Sequence, residues 1–248
     1  MHYEADTHSH TIASGHAYNT IMEMVNAAAA KGLKVLAITD HTKGIPGHEM
    51  FGAPEDIYFR NFSVIPRDIN GVHLLMGAEV NILNGGSIDL SERALRQQDI
   101  VIASIHKQCY DNEGLEGNTQ ALLKIVENPY VDIIGHPDDS RTPLDYERIV
   151  AKAAETGTIF ELNENSYRDP GLRENCKENQ MKYLALCKKW GVPVTIGSDA
   201  HFMNVVGQHE HNEKILIEAD FPMELVMNTS AEKLINYLKA RKERFPRM

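Results

Sequence analysis

The chain has 248 residues and a formal net charge of −10 at pH 7, and 42% of its residues are hydrophobic. This length is near the upper limit for one hydrophobic core, where α/β barrels commonly remain a single domain, so we expect one domain over residues 1–248. The acidic balance argues against a nucleic-acid-binding surface. We also expect a soluble, cytoplasmic protein, because no run of about 18 apolar residues and no basic, apolar leader is present.

The three cysteines support the same location. Cys109, Cys176 and Cys187 are odd in number and show no paired spacing. We interpret them as reduced thiols of a cytoplasmic protein.

Apolar strand-like runs alternate with helical patterns along the chain, which is typical of parallel β/α units. Seven strands are predicted, at residues 4–8, 34–39, 73–82, 100–105, 131–135, 158–162 and 193–197. Helices are predicted at residues 20–31, capped by Asn19, at 119–127, preceded by Asn118, and at 144–155 and 174–189. The pattern predicts an α/β fold, a TIM-barrel-like (β/α)7 barrel.

Side chains of the kind that bind metals recur at the ends of these strands. In a β/α barrel the carboxyl ends of the strands meet on one face, so these residues are expected to converge. Nine of them are too many for one tetrahedral zinc, which takes four ligands, and polynuclear clusters mainly hydrolyse phosphate esters. The candidates are His8, His10, His16, His41, Glu79, His106, His136, Asp199 and His201.

The spacing within two short segments strengthens this prediction. His8 and His10 are two residues apart in a strand, so both point to the same side and can hold one ion together, and Asp199 and His201 repeat the spacing. The other histidines are predicted to lie at the surface, since a lone histidine is more often partly exposed than a ligand. They are His2, His48, His73, His209 and His211.

These motifs closely resemble the polymerase and histidinol phosphatase (PHP) superfamily. The matching segments are His8-Ser9-His10 with His16, Thr39-Asp40-His41, Ile105-His106 with Gly135-His136, and Gly197-Ser198-Asp199-Ala200-His201. Residues 134–137, 161–166 and 221–238 further resemble the stand-alone bacterial phosphatases of that superfamily, which have a trinuclear zinc site. The resemblance implies a distorted seven-stranded barrel.

The resemblance also implies how the ligands divide among three zinc ions, with manganese or iron as alternative metals. His8, His10, Glu79 and Asp199 would hold the first ion, and Glu79 would bridge to a second ion, also held by His106 and His136. His16, His41 and His201 would hold the third. A phosphate monoesterase would then use a metal-activated hydroxide, with Glu79, Asp199 and His201 as its catalytic residues.

Several residues near these strand ends are candidates for a supporting role. Lys107, Arg141 and Arg168 follow predicted strands on the same face and could bind the phosphate of a small-molecule ester. Asp40 and Asp6 could orient an imidazole, although aspartate is equally common in turns.

Other functions stay open at this point. The acidic charge argues against a phosphodiesterase or nuclease that acts on nucleic acid. The intact ligand set argues against a metal-binding module without turnover. Amidohydrolase chemistry is disfavoured because Lys107 is the only lysine at a predicted strand end. Histidinol phosphate, a sugar phosphate and a nucleotide are all compatible substrates, and a homo-oligomer is compatible with the sequence.

Overall fold

The structure is a computed structural model that describes residues 2–44, 56–168 and 171–244. Seven parallel strands form a nearly closed barrel in which neighbours in the sheet are also neighbours along the chain, as predicted. Two short strands, β3 and β5, pair antiparallel with β4. The strands are β1 Ala5–Asp6, β2 Val35–His41, β3 Asp68–Ile69, β4 Val72–Leu83, β5 Ser87–Ile88, β6 Ile100–Ser104, β7 Ile133–Gly135, β8 Ile159–Asn163 and β9 Val194–Gly197.

Helices connect the strands around the outside of the barrel. They are α1 Ile21–Ala30, α2 Glu92–Leu95, α3 Gly114–Glu127, α4 Tyr146–Thr156, α5 Cys176–Trp190, α6 Glu210–Glu218 and α7 Ala231–Arg244. Among the described residues, none of the helices is both long and apolar enough to cross a membrane.

Two predicted helix starts were wrong, and local hydrogen bonds explain both. Thr20, not Asn19, caps α1 in a capping box with Glu23, while the Asn19 side chain accepts a hydrogen bond from the Met203 amide. Helix α3 begins at Gly114, before the predicted start, and Asn118 lies buried within it, where its side chain accepts from the Glu113 amide.

Apolar residues pack in two layers, one inside the barrel and one between the strands and the helices. The interior layer includes Val35, Leu75 and Ile102, and Leu234 and Leu238 of α7 join it. Helix α7 therefore closes the end of the barrel that carries the amino termini of the strands. At that end the side chain of Arg241 lies 3.1 Å from Asp132, and both are buried.

The side chain of Asn228 connects the first and last strands of the barrel by hydrogen bonds. The Asn228 amide nitrogen donates to the carbonyls of Ala5 and Ile196, at 2.9 and 2.8 Å, and its side-chain oxygen accepts from the Ile196 amide. Nearer the carboxyl end, the Asp199 amide donates directly to the His8 carbonyl at 2.9 Å. These bonds satisfy backbone groups that an open sheet edge would leave unpaired.

Candidate metal centre

The centre is built around Glu79, a buried residue of β4 that pairs with His41, the last residue of β2. Glu79 lies inside its strand, not at the end, because β4 continues to Leu83. Its Oε1 lies 3.0 Å from His136 Nε2 and 3.3 Å from His106 Nε2. Its Oε2 lies 2.8 Å from His41 Nδ1 and 3.3 Å from His8 Nε2. One carboxylate thus faces imidazoles on both oxygens.

Asp199 and the two histidines after β1 form the next group. Asp199 Oδ1 lies 3.1 Å from His10 Nε2 and 3.7 Å from His8 Nε2, and the two Nε2 atoms are 3.1 Å apart. These separations approach the roughly 3.3 Å expected between ligand atoms about 2.0 Å from a shared tetrahedral ion.

The remaining histidines lie toward the mouth of the barrel. His16 Nε2 and His201 Nε2 are 3.0 Å apart. The His41 ring stacks on His10 and on His16, with centroids 4.3 and 4.9 Å away. His41 therefore stands between the Glu79 group and the His16–His201 pair, and all nine predicted ligands lie in one connected cluster.

Four of the imidazoles are oriented by hydrogen bonds at the ring nitrogen that faces away from the cluster. In each, Nδ1 forms a hydrogen bond and Nε2 is left facing the cluster, which is the usual arrangement of metal-binding histidines. The pairs are His8 with Glu161 Oε1 at 2.7 Å, His10 with Ser14 Oγ at 3.1 Å, His106 with Asn81 Oδ1 at 2.7 Å and His201 with the Asp199 carbonyl at 3.0 Å.

The cluster also contains buried polar atoms that lie close to other ligands of the cluster but form no well-aligned hydrogen bond with any described residue. They are His41 Nδ1, Glu79 Oε2 and Asp199 Oδ1. Leaving such atoms unpaired is costly, and imidazole and carboxylate donors are those that zinc prefers. The residues present fit metal ions.

The pKa values of Glu79 and Asp199 are determined by the imidazoles that surround them. Burial alone would raise the pKa of Glu79, but the charges of His8, His41 and His106 hold that pKa well below its usual value. For Asp199, burial is likewise outweighed by His8 and by the nearby rings of His10 and His201, which lower its pKa. Both side chains are therefore anionic.

The imidazoles divide into two kinds. Burial and the nearby charges of His41 and His201 lower the pKa of His10 well below its usual value, and the same causes lower that of His16 to about 4. Burial opposes protonation of His8 too, but the carboxylates of Glu161 and Glu79 raise its pKa well above the usual value. His10 and His16 are therefore neutral, while the carboxylates around His8 favour a positive charge at that position, which either a proton or a metal ion can supply.

Backbone conformation at two ligands is unusual. His136 and Asp199 have φ values of 29° and 50°, in the left-handed region. Beside Asp199, Gly197 leaves the space that Glu161 and His8 occupy, because a Cβ there would overlap Glu161 Oε1 and lie 2.7 Å from His8 Cβ. The glycine allows the Glu161–His8 hydrogen bond to form.

Glu161 is a residue of the site that the sequence analysis missed. Besides contacting His8, its Oε2 accepts from the His136 amide at 2.9 Å and from Asn163 Nδ2 at 3.1 Å. It was missed because a single acid within a predicted strand has no ligand spacing. The signal was the pair Glu161 and Asn163, two residues apart on one side of β8, as His8 and His10 are after β1.

Asp40 and Asp6 act differently from each other. Asp40 accepts from Thr11 Oγ1 at 2.8 Å and from Ser14 Oγ at 2.7 Å, and Ser14 contacts His10, so Asp40 orients an imidazole through one hydroxyl. Asp6 accepts from the backbone amides of His8, Ser198 and Gly207, which fits the turn role.

A cavity of about 370 Å³ opens beside the cluster and contains three cationic side chains among its described lining residues: Lys107, Arg141 and Arg173. Arg141 is engaged by Asp139, 2.5 Å away, and by the Leu172 carbonyl. Arg168 does not line the cavity, and its charge acts instead on Lys31 and His209.

Arg173, which was not predicted, is the arginine after β8 that lines the cavity. Its Nη1 donates to Ser166 Oγ at 2.7 Å and to Asn163 Oδ1 at 3.3 Å, and its Nη2 lies 3.9 Å from Asp199 Oδ2. The sequence offered no signal for it, since it lies in a loop without a motif.

The remaining histidines lie outside the cluster. His73 is half-buried and paired with Asp68 at 2.8 Å, and His2 and His211 are exposed, as predicted. The prediction for His209 was wrong, because its ring is buried against Tyr3, 5.6 Å between centroids. His48 lies outside the described residues.

Residues 6–167 match the model of the PHP domain. The chain belongs to the PHP family. A relative from Acetivibrio thermocellus, named probable phosphatase, is 45% identical over 249 residues, which cover 100% of each chain. Together with PHP membership, this confirms the prediction of a metal-dependent phosphatase.

Two solved structures share the PHP fold. A histidinol phosphate phosphatase from Lactococcus lactis, in complex with zinc, L-histidinol and phosphate, aligns with a TM-score of 0.58 and 17% identity over 89% of this chain and 95% of that one. A chain of an archaeal ribonuclease P, solved with mature tRNA, aligns with a TM-score of 0.56 and 15% identity over 96% and 91%. At these identities the likeness establishes the barrel alone.

Proposed function

We propose that this protein hydrolyses phosphate monoesters of small molecules at a trinuclear zinc centre. The observation that carries the proposal is the Glu79 carboxylate, which faces imidazoles on both oxygens while the rings around it are oriented by outer hydrogen bonds. Such an arrangement of donors suits a carboxylate that bridges two ions.

The proposed ligand sets follow the contacts within the cluster. His8, His10, Glu79 and Asp199 would hold the first ion, and Glu79 with His106 and His136 the second. His16 and His201 would hold a third ion with His41. The position of His41, whose Nδ1 is 2.8 Å from Glu79 Oε2, makes it the ligand able to serve either the second or the third ion.

Bound zinc would supply a water of lowered pKa as the nucleophile and positive charge for the phosphoryl oxygens. The protein side chains would then fix the geometry. Glu79 sets the separation between ions, and Asp199 and His201, held together by the His201 Nδ1 bond, line the cavity beside them. These three are the proposed catalytic residues.

Phosphate binding is assigned to the cations of the cavity. Arg173 is fixed by Ser166 and Asn163 and presents a planar guanidinium, which suits phosphate oxygens. Lys107 is exposed and adds a point charge, while Arg141 is already neutralised by Asp139. Arg173 is therefore the principal candidate.

Several features support the finer parts of the proposal. The Lactococcus enzyme was solved with zinc, although manganese and iron accept the same donors. The cavity volume and the net charge of −10 favour a small ester over a nucleic acid. The three free cysteines favour a cytoplasmic location. A single domain and a homo-oligomer stay predictions.

The test combines elemental analysis of the purified protein with phosphate release from p-nitrophenyl phosphate before and after chelation. We expect two to three metal equivalents and activity that chelation removes and zinc restores. Bis(p-nitrophenyl) phosphate serves as the matched diester. Faster cleavage of the diester, or no phosphate release by the metal-replete protein, would contradict a monoesterase.

A further inference from the structure

We infer that the natural substrate carries an apolar, uncharged organic group, and that it is neither an amino alcohol phosphate nor a sugar phosphate. This inference rests on the proposed function. It concerns the part of the cavity away from the metal cluster, which we call the outer wall and define by Ile105, Tyr110, Pro137, Leu144 and Leu172.

The outer wall is built from three loops that follow β6, β7 and β8. Arg141 joins them, because its guanidinium contacts Asp139 and the Leu172 carbonyl while its own carbonyl accepts from Asn112 Nδ2 at 2.8 Å. The Ser140 amide adds a bond of 3.0 Å to the Glu174 carbonyl. The wall is thus held in place before any ligand binds, which reduces the entropic cost of binding.

The side chains of the outer wall itself are apolar. Ile105 and Leu144 are half-buried and Leu172 is 39% exposed, so part of their surface is available to a ligand. The Tyr110 hydroxyl is engaged by Glu113 and Asn118, at 3.2 and 3.1 Å, which leaves its ring as the part that lines the cavity. An apolar ligand group would be favoured here over a hydrated one.

The charged side chains that line the cavity beside the outer wall disfavour a cationic substrate. Among the described residues that line the cavity, Asp139 is the only carboxylate outside the metal cluster. Asp139 is already paired with Arg141, which contacts both of its oxygens. A substrate ammonium would therefore meet Lys107, Arg141 and Arg173 without a free counter-charge, and burying it there would be unfavourable.

Polar partners for a sugar are equally scarce. Asn112 is used by Arg141, Gly114 and Asn118, and Asn165 donates to Asp199 at 3.3 Å. Within the described lining residues, Gln108 and Thr142 are the uncharged polar side chains that form no hydrogen bond with the rest of the described chain. Two groups are too few to replace the water lost by several sugar hydroxyls.

Three phosphate esters with alkyl leaving groups test the inference, with the zinc-loaded full chain. 3-Phenylpropyl phosphate carries the apolar group, propyl phosphate lacks the ring, and 2-amino-3-phenylpropyl phosphate adds an ammonium to it. We expect kcat/KM for 3-phenylpropyl phosphate to exceed that for propyl phosphate by about 10- to 100-fold, from burial of the ring. The ammonium should lower kcat/KM about tenfold or more.

A variant of the outer wall locates the effect. Leu172→Gln changes an exposed side chain, and its backbone carbonyl still accepts from Arg141, so folding should be retained. We expect the advantage of the phenyl ester to fall about 3- to 10-fold. Ile217→Gln, at a 59% exposed position on α6, is the matched control and should leave the advantage unchanged.

The outcomes separate the inference from the proposed function. Equal kcat/KM for the phenylpropyl and propyl esters, or equal kcat/KM with and without the ammonium, would overturn the inference while leaving the monoesterase intact. An unchanged preference in Leu172→Gln would also overturn it. If none of the three esters releases phosphate while a diester is cleaved, the proposed function fails and this inference fails with it.

Discussion

The role of Glu161 leads to a prediction that separates metal binding from folding. Replacing Glu161 with Gln keeps the volume of a fully buried side chain but removes its charge. In the native protein Oε1 accepts from His8 Nδ1, and Oε2 accepts from the His136 amide and from Asn163. Gln has one acceptor oxygen, so in either orientation its NH₂ group faces a donor.

The expected size of the effect has two parts. Loss of an outer partner of metal-binding histidines usually lowers metal affinity or activity 10- to 100-fold, which corresponds to about 1.4–2.7 kcal/mol of binding free energy. The unpaired donor costs about 1–3 kcal/mol of folding free energy, so the Tm of the metal-free protein should fall by about 2–12 °C. Zinc affinity, measured by competition with a chelating dye, and phosphate release report the first part, and thermal unfolding of the chelated protein reports the second.

Asp132→Asn is the matched control, because Asp132 is a buried carboxylate at the opposite end of the barrel. It accepts from the Val101 amide at 2.9 Å and pairs with Arg241. This variant should lose stability but keep the zinc affinity of the native protein. The reasoning would be refuted if Glu161→Gln bound zinc as tightly as the native protein, or if both variants lost zinc affinity equally.

Three further predictions address the cluster, the phosphate site and the barrel. Glu79→Gln should abolish turnover and lower the metal content measured by elemental analysis. His73→Gln should leave the metal content unchanged, because His73 lies outside the cluster and pairs with Asp68. Arg173→Met should lower kcat/KM for a monoester about 10- to 100-fold, which corresponds to the loss of one charge-assisted hydrogen bond. Arg168→Met should leave kcat/KM unchanged, since Arg168 does not line the cavity. Equal losses in both variants would contradict the assignment of phosphate binding to Arg173. Asn228→Ala should reduce the free energy of unfolding in urea by about 2–4 kcal/mol with zinc affinity unchanged, because it removes three hydrogen bonds that close the barrel away from the cluster.

The architecture was predictable because its signal is periodic. Apolar runs separated by helical patterns specify parallel β/α units, and all seven predicted strands are present. The observed helix ends differ from the predicted ones where a local hydrogen bond determines the end. Thr20 caps α1, for example, while the Asn19 side chain accepts a hydrogen bond from the Met203 amide. Asn228 could not be predicted as a closing residue, since its role depends on contacts with β1 and β9 that are more than 30 residues away in sequence.

The convergence of the proposed ligands was predictable for a topological reason, and the supporting residues were not. His8, His41, His136 and Asp199 lie at or just after strand ends, and the barrel brings strand ends together whatever the loops do. Arg173 and Arg168 both follow β8, and Arg173 is the one that lines the cavity, where it contacts Ser166. Proximity in sequence to a strand end does not determine the direction of a loop side chain.

The cluster as a whole also explains why folding and metal binding should be coupled. Three buried carboxylates and seven imidazoles share a small volume, two proposed ligands adopt left-handed backbone conformations, and three buried polar atoms form no well-aligned hydrogen bond with the described residues. Each such backbone conformation costs about 1–3 kcal/mol, and each unpaired buried group costs a similar amount. A metal that binds only the folded chain offsets these costs by mass action, so the fold tolerates them in exchange for a preformed set of ligands. The unsatisfied atoms belong to His41, Glu79 and Asp199, three of the proposed ligands, and the metal-free protein should therefore be most strained where the metal binds.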